Sequence, residues 1–170
     1  RIIAGLTRPD TGSVRLAGRD LTGVPAERRR IALVPQEGAL FPHLTVAENI
    51  GFGVRGRAKR RRTANMLDLV GLQPLADRMP HEISGGQAQR VALARALAVE
   101  PNLVLLDEPF SAMDAATRTA MRADVRRVLH EAGTSAVLVT HDREEALSLA
   151  DHLVLMADGR VIQEGTPSAV

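Results

Sequence analysis

The 170-residue sequence is 45% apolar and 25% charged, carries a formal net charge of +2 and contains no cysteine. That composition suits a globular chain able to bury roughly 70% of the surface its unfolded form exposes, which excludes a disordered or collagen-like chain. Disulfides and thiolate metal sites are excluded with the cysteines. No apolar run approaches the roughly 18 residues of a membrane span and no secretory signal is visible, so membrane association is expected to come only through a partner.

The chain opens on RIIAGLTRPDTGS, which reads as the tail of a helix stopped at Gly5 and followed by a Pro-Asp-Thr-Gly turn. There is no initiating Met, and the expectation is a chain that starts inside an element of a longer protein. Apolar runs at 14–17, 31–34, 103–106, 136–139 and 153–156 predict strands, and their continuity predicts burial on both faces. Helical stretches at 86–99, 115–132 and 143–150 separate the later runs, so the pattern is βαβ with a largely parallel sheet; the earliest strands are an expected antiparallel appendage. From Thr45 to Leu97 the reading is almost wholly helical. The basic group Arg55, Arg57, Lys59, Arg60, Arg61 and Arg62 falls in this part. A solvated loop and helix start is favoured over a phosphate-binding patch, and no aromatic residue is interleaved for base stacking.

In an open parallel sheet, ligands collect at the carboxyl ends of the strands. Gln36 follows the run IALVP, Asp107 and Glu108 follow LVLL, and His141 follows AVLVT, so a glutamine, two acids and a histidine are expected at one edge. Alternate strand residues face opposite sides, so both acids serve one spot only if the strand ends between them. Pro109 disfavours the α region for Glu108, predicting an extended acid projecting beyond the strand tip. This permits Asp107 to face a metal's water shell and Glu108 an attacking water; either acid alone reads more plainly as a helix cap or surface ion pair, and it is the shared edge that shifts the weight. In ISGGQAQRVALARAL (83–97), Ser84 is a good N-cap, and two glycines let backbone N–H groups approach an anion. An ordinary capped helix after a flexible turn is the plainer reading.

Taken together, these features resemble the ATP-binding subunit of ABC transporters. ISGGQ is similar to that family's signature, LVLLDEP to its acidic strand, SAMD to its D-loop, Gln36 to its Q-loop glutamine and His141 to its switch histidine, all in the family's order. The resemblance implies a P-loop NTPase (RecA-like) α/β fold with a mainly parallel sheet, an antiparallel β appendage and a helical insert, truncated at the N-terminus. It divides the chain into an α/β core (1–36 and 98–170) and a helical subdomain (37–97). It further implies ATP and Mg²⁺ as ligands, with Asp107 and Gln36 toward the magnesium. Glu108 would polarise the water, and His141 would hold the γ-phosphate. Ser84, Gly85, Gly86 and Gln87 would touch nucleotide held by a second copy of the subunit, and Asp114 would cross the dimer interface.

The stretch EGALFPHLTVAENIGFGV resembles ATPases of bacterial importers for iron(III), polyamines, sulfate or molybdate, in which this region receives a cytoplasmic helix of the integral-membrane subunits. Phe41, Pro42 and Leu44 are then expected to be partly exposed for docking, although Phe41 and Leu44 read equally well as core. Such a system implies an extracytoplasmic solute-binding protein, no nucleic acid, and a place on the cytoplasmic face of the inner membrane. The departure is the phosphate loop G-x-x-x-x-G-K-[ST], absent from these residues: Gly18 and Gly23 are correctly spaced, but Val24 and Pro25 follow. The expectation is that the loop lies upstream of Arg1 and that the 170 residues alone bind and hydrolyse ATP poorly. GFGVRG at 51–56 matches a dinucleotide fingerprint but follows a helix where that motif needs a strand. Two rivals are a non-transport ABC ATPase of the DNA-repair or translation type and a non-catalytic remnant that docks a partner.

Overall fold

The structure is a computed structural model and describes every residue except Glu37, Gly38, Ala112 and the side chain of Ala116. Strands β3 (Ile31–Val34), β4 (Leu103–Asp107) and β5 (Ala136–Val139) form a parallel sheet in the order β3-β4-β5. They coincide with three of the predicted runs. Val34, Leu106 and Leu138 lie abreast, so the three strands finish at the same edge. Helices α4 (Ala115–Glu131) and α5 (Arg143–Leu149) complete the crossovers around β5.

Before the sheet, β1 (Arg15–Leu16) and β2 (Arg19–Asp20) form the expected antiparallel appendage. Ala17 and Gly18, both at positive φ, make its two-residue turn. Residues 1–6 carry the hydrogen-bond pattern that ends helices: the Gly5 N–H donates to the Ile2 carbonyl, the Leu6 N–H to the Arg1 carbonyl, and Gly5 sits at φ 81°. Arg29, only 4% exposed, fastens this segment. Its Nη1 donates to the carbonyls of Ile2 (2.8 Å) and Ile3 (2.9 Å), its Nε to Val24 and its Nη2 to Thr22.

The segment between β3 and β4 is less continuously helical than the sequence predicts. Helices α1 (Val46–Ile50), α2 (Lys59–Leu69) and α3 (Gly85–Ala98) are separated by turns in which Gly56 and Gly71 take positive φ and Pro74 and Pro80 open short 3₁₀ turns. Helix α3 is apolar around most of its circumference, as VALARALA requires of a helix packed on all sides. It touches α1, α2, β3 and α4, and its buried residues share one core with Val34, Val104 and Phe110. From the other side α4 contributes Met121, Val125 and Val128, spaced by four and three residues along one face.

Asn49 is wholly buried in α1 and organises the loop before it. Its Oδ1 accepts from the Phe41 N–H (2.8 Å), and its Nδ2 donates to the carbonyls of Phe41, Leu44 and Thr45. Asn49→Ala strands these groups away from water and is expected to cost about 2–3 kcal/mol. Urea titration checks this; a loss below about 0.5 kcal/mol shows that the loop re-pairs elsewhere.

Two expectations are corrected. The run at 153–156 does not join the parallel sheet: β6 (Leu153–Ala157) pairs antiparallel with β7 (Arg160–Gly165) through Asp158 and Gly159, both at positive φ. Burial on both faces holds for β4 but not for the others: Val139 is 55% exposed in β5, and Met156 and Ile162 are 59% and 62% exposed in β6 and β7. An apolar run gives strand propensity, whereas burial depends on what packs over it: β5 is largely exposed, and β6 and β7 are exposed on both faces among the described residues.

Candidate active site

The parallel register brings the predicted residues together. Asp107 is the last residue of β4 and pairs with Val139, so the strand does end between the two acids. Gln36 stands two residues past the end of β3, exposed, and His141 two residues past the end of β5.

Glu108 departs from the expected extended form. Its φ is 47°, in the left-handed region. Proline after it excludes the right-handed region but not this one. The conformation costs about 1–2 kcal/mol for a residue with a Cβ. It is held by hydrogen bonds: the Glu108 N–H donates to the Val139 carbonyl (2.9 Å), and its own carbonyl accepts from the Ser111 N–H and Oγ. The chain thus turns sharply at the strand tip, and the carboxylate meets His141. Both carboxylate oxygens lie 2.8 Å from His141 Nδ1, a geometry in which a protonated Nδ1 donates to the carboxylate.

This hydrogen bond, and then the attraction of the Glu108 charge, raise the His141 pKa above its ordinary value near 6.5. Because the folded value is the higher one, the pair's contribution to stability is fully present below the ordinary histidine value. It is lost as pH rises through the raised one. NMR titration of the His141 ring is expected to give a midpoint above 6.5, and Glu108→Gln is expected to bring it down. An unchanged midpoint in the variant would show that another group sets it.

The residues 84–87 stand apart from this edge. Ser84 caps α3 in a reciprocal box: the Gln87 N–H donates to Ser84 Oγ, and the Ser84 N–H donates to Gln87 Oε1. Among the described residues, no hydrogen bond or ion pair links them to Gln36, Asp107, Glu108 or His141. A Cβ at Gly86 would lie 3.1 Å from Met121 Cε of α4, while one at Gly85 would meet nothing within 4 Å. Neither packing nor backbone thus demands glycine at 85. Asp114 caps α4, its Oδ1 accepting from the Thr117 N–H at 3.0 Å.

Sequence reasoning missed the groups that fix His141. Thr140 Oγ1 accepts from the Asp142 N–H and donates to Glu145 Oε2, while Asp142 caps α5. The pattern T-H-D-x-x-E, an N-cap with an acid three residues on, was the available signal.

Residues 1–111 match the family described as ABC transporter. The chain belongs to that family. An Fe(3+) ions import ATP-binding protein of Pseudomonas fluorescens Pf0-1 is 56% identical to this ABC chain over 98% of it and 50% of the relative. Similarly named proteins from Pectobacterium atrosepticum and Rhodococcus jostii are 52% identical over 100% of the chain and 51% of their own length. The chain therefore spans about half the length of the curated relatives it matches. The ATP-binding cassette MJ0796, solved as a dimer in a post-hydrolysis state with ADP and Pi, superposes with a TM-score of 0.79. It is 32% identical, and the match covers 98% of this chain and 78% of that one. The P-loop NTPase fold expected from the motifs is thereby borne out.

Proposed function

We propose that this ABC chain belongs to an ATPase subunit that couples ATP hydrolysis, in a head-to-tail dimer, to import of an inorganic ion or small polyamine. Import of an ion is supported by the names of its relatives. The observation that carries the hydrolytic part is the Glu108–His141 pair at the shared strand edge. Glu108 orients the attacking water and takes up its proton. His141, released from Glu108, turns its ring toward the γ-phosphate. Phosphoryl transfer needs mainly such positioning in a site that excludes water.

Asp107 and Gln36 offer hard oxygen donors that suit Mg²⁺, which keeps several waters and phosphate ligands beside one or two protein groups. When bound, the ion neutralises charge on the phosphates. Residues 84–87, which this chain's own packing leaves accessible, receive the phosphates held by the second subunit, and Asp114 crosses the interface. The cradle G-x-x-x-x-G-K-[ST] is not within these 170 residues, so ATP binding is assigned to the full polypeptide and is expected to be weak for these residues alone.

Docking to integral-membrane subunits is supported by two neighbouring features of the helical subdomain (37–97). Phe52, 57% exposed, stacks on the half-buried Phe41 at 4.3 Å, with Arg95 over the Phe41 ring. Between α1 and α2 lies a groove of about 560 Å³, lined by the apolar Ala47, Ala64 and Leu67 and by the charged Glu48, Arg57, Lys59 and Arg60. No helix among the described residues is long and apolar enough to cross a membrane, so the proposed place on the cytoplasmic face of the inner membrane rests on those subunits. The system would include an extracytoplasmic solute-binding protein.

Light scattering on the full-length Glu108→Gln protein tests the reading. ATP should convert monomer into dimer; a monomer that binds ATP without associating overturns the two-subunit site, and a protein that binds no ATP favours a partner-docking remnant.

A further inference from the structure

Helix α4 carries Arg118, Arg122, Arg126 and Arg127, and three of them bind α5, α2 or α4 itself without reaching the turn at 113–114. Arg122 meets Glu144, Arg126 donates to the Ser148 carbonyl, and Arg127 reaches Glu131 and the Leu69 carbonyl. Arg118 does something different. Its Nη2 donates to the Met113 carbonyl at 2.9 Å, immediately before the α4 cap Asp114. Its Nη1 donates to Asp142 Oδ2 at 3.2 Å, immediately after His141. Its Nε is buried without a hydrogen bond and lies 4.0 Å from Oε1 of Glu145, a carboxylate only 3% exposed.

Glu145 and Asp142 together hold the backbone on both sides of His141. Glu145 Oε2 accepts from the Thr140 hydroxyl at 2.6 Å, that hydroxyl accepts from the Asp142 N–H, and Asp142 Oδ1 accepts from the N–H groups of Glu144 and Glu145. A displacement of the turn at 113–114 therefore acts through one rigid guanidinium on the three-residue turn containing His141. The planar fork matters, because its two terminal nitrogens engage separate partners in fixed relation, which a lysine's single nitrogen cannot reproduce.

We propose that Arg118 is a positioning residue that ties the Met113–Asp114 turn to His141, so that the approach of the second subunit at Asp114 sets the histidine for hydrolysis. The proposal rests on the ATPase reading above and adds a route by which the two halves of the dimer inform one another.

The test uses the full-length polypeptide with Arg118→Met and Arg118→Lys, assayed at a temperature where circular dichroism shows every variant folded. Arg118→Lys keeps a positive charge beside Asp142 and Glu145, so its Tm should stay near that of the unaltered protein, whereas Arg118→Met should melt earlier. Both should lower kcat about tenfold with KM for ATP within about twofold, the pattern of an interaction that matters after binding. A kcat that recovers in Arg118→Lys together with Tm, or that never falls in Arg118→Met, reduces Arg118 to a structural ion pair and overturns the proposal. Unaltered protein and Glu108→Gln are assayed in parallel. If the former hydrolyses no ATP, or the latter hydrolyses it equally fast, the ATPase reading itself fails and the coupling falls with it.

Discussion

Glu108→Gln in the full-length polypeptide is expected to lower the rate of ATP hydrolysis by about 10²–10⁴-fold, the contribution typical of a positioned general base. ATP affinity should stay within a few-fold. The substitution is nearly isosteric: the amide oxygen still accepts from His141 Nδ1, and the backbone bonds that hold residue 108 at φ 47° involve only its N–H and carbonyl. What changes is the capacity to take a proton and the charge facing the histidine. Steady-state phosphate release, with nucleotide binding measured separately, checks the result. A fall of less than about fivefold assigns the proton to another group, and lost ATP binding shows that the acid serves the ground state.

Phe110→Ala is expected to destabilise the fold by about 3–5 kcal/mol, the range for emptying a fully buried aromatic site. Phe110 has no exposed surface and belongs to the main core. Its carbonyl accepts from the Met113 N–H, so it anchors the turn that leads from the acids to α4. Against the roughly 5–15 kcal/mol that holds a typical domain together, such a loss is severe. The urea midpoint should fall with an unchanged slope; a loss below about 1 kcal/mol means that neighbouring side chains collapse into the space.

Legibility in the sequence followed the physics of each signal. The runs at 31–34, 103–106 and 136–139 became β3, β4 and β5 almost to the residue, because β-branched and leucine residues between polar punctuation have few alternatives. The shared edge could be inferred because parallel strands joined by crossovers all finish on one side. Strand β7 was missed although Asp158-Gly159 is a strong two-residue hairpin signal, since RVIQEG alternates poorly. The left-handed Glu108 was not legible, because the proline rule removes one conformation and leaves two. Arg29, Asn49 and Arg118 look like surface residues until distant segments bring carbonyls and carboxylates to them.

Two of these residues fasten the molecule by different chemistries. The partners of Arg29 are all peptide carbonyls, which do not titrate, and salt has no paired charge there to screen. The seam between α4 and α5 includes a titrating group, Asp142, whose pKa is held below its usual range by the N–H groups of Glu145 and Glu144 and by Arg122 and Arg118. A depressed carboxyl pKa contributes stability above its unfolded value, and that contribution is lost as pH falls through the folded value. Acid is therefore expected to weaken the cap and ion pair of Asp142 beside the histidine while leaving the carbonyl bonds that latch residues 1–6 unchanged.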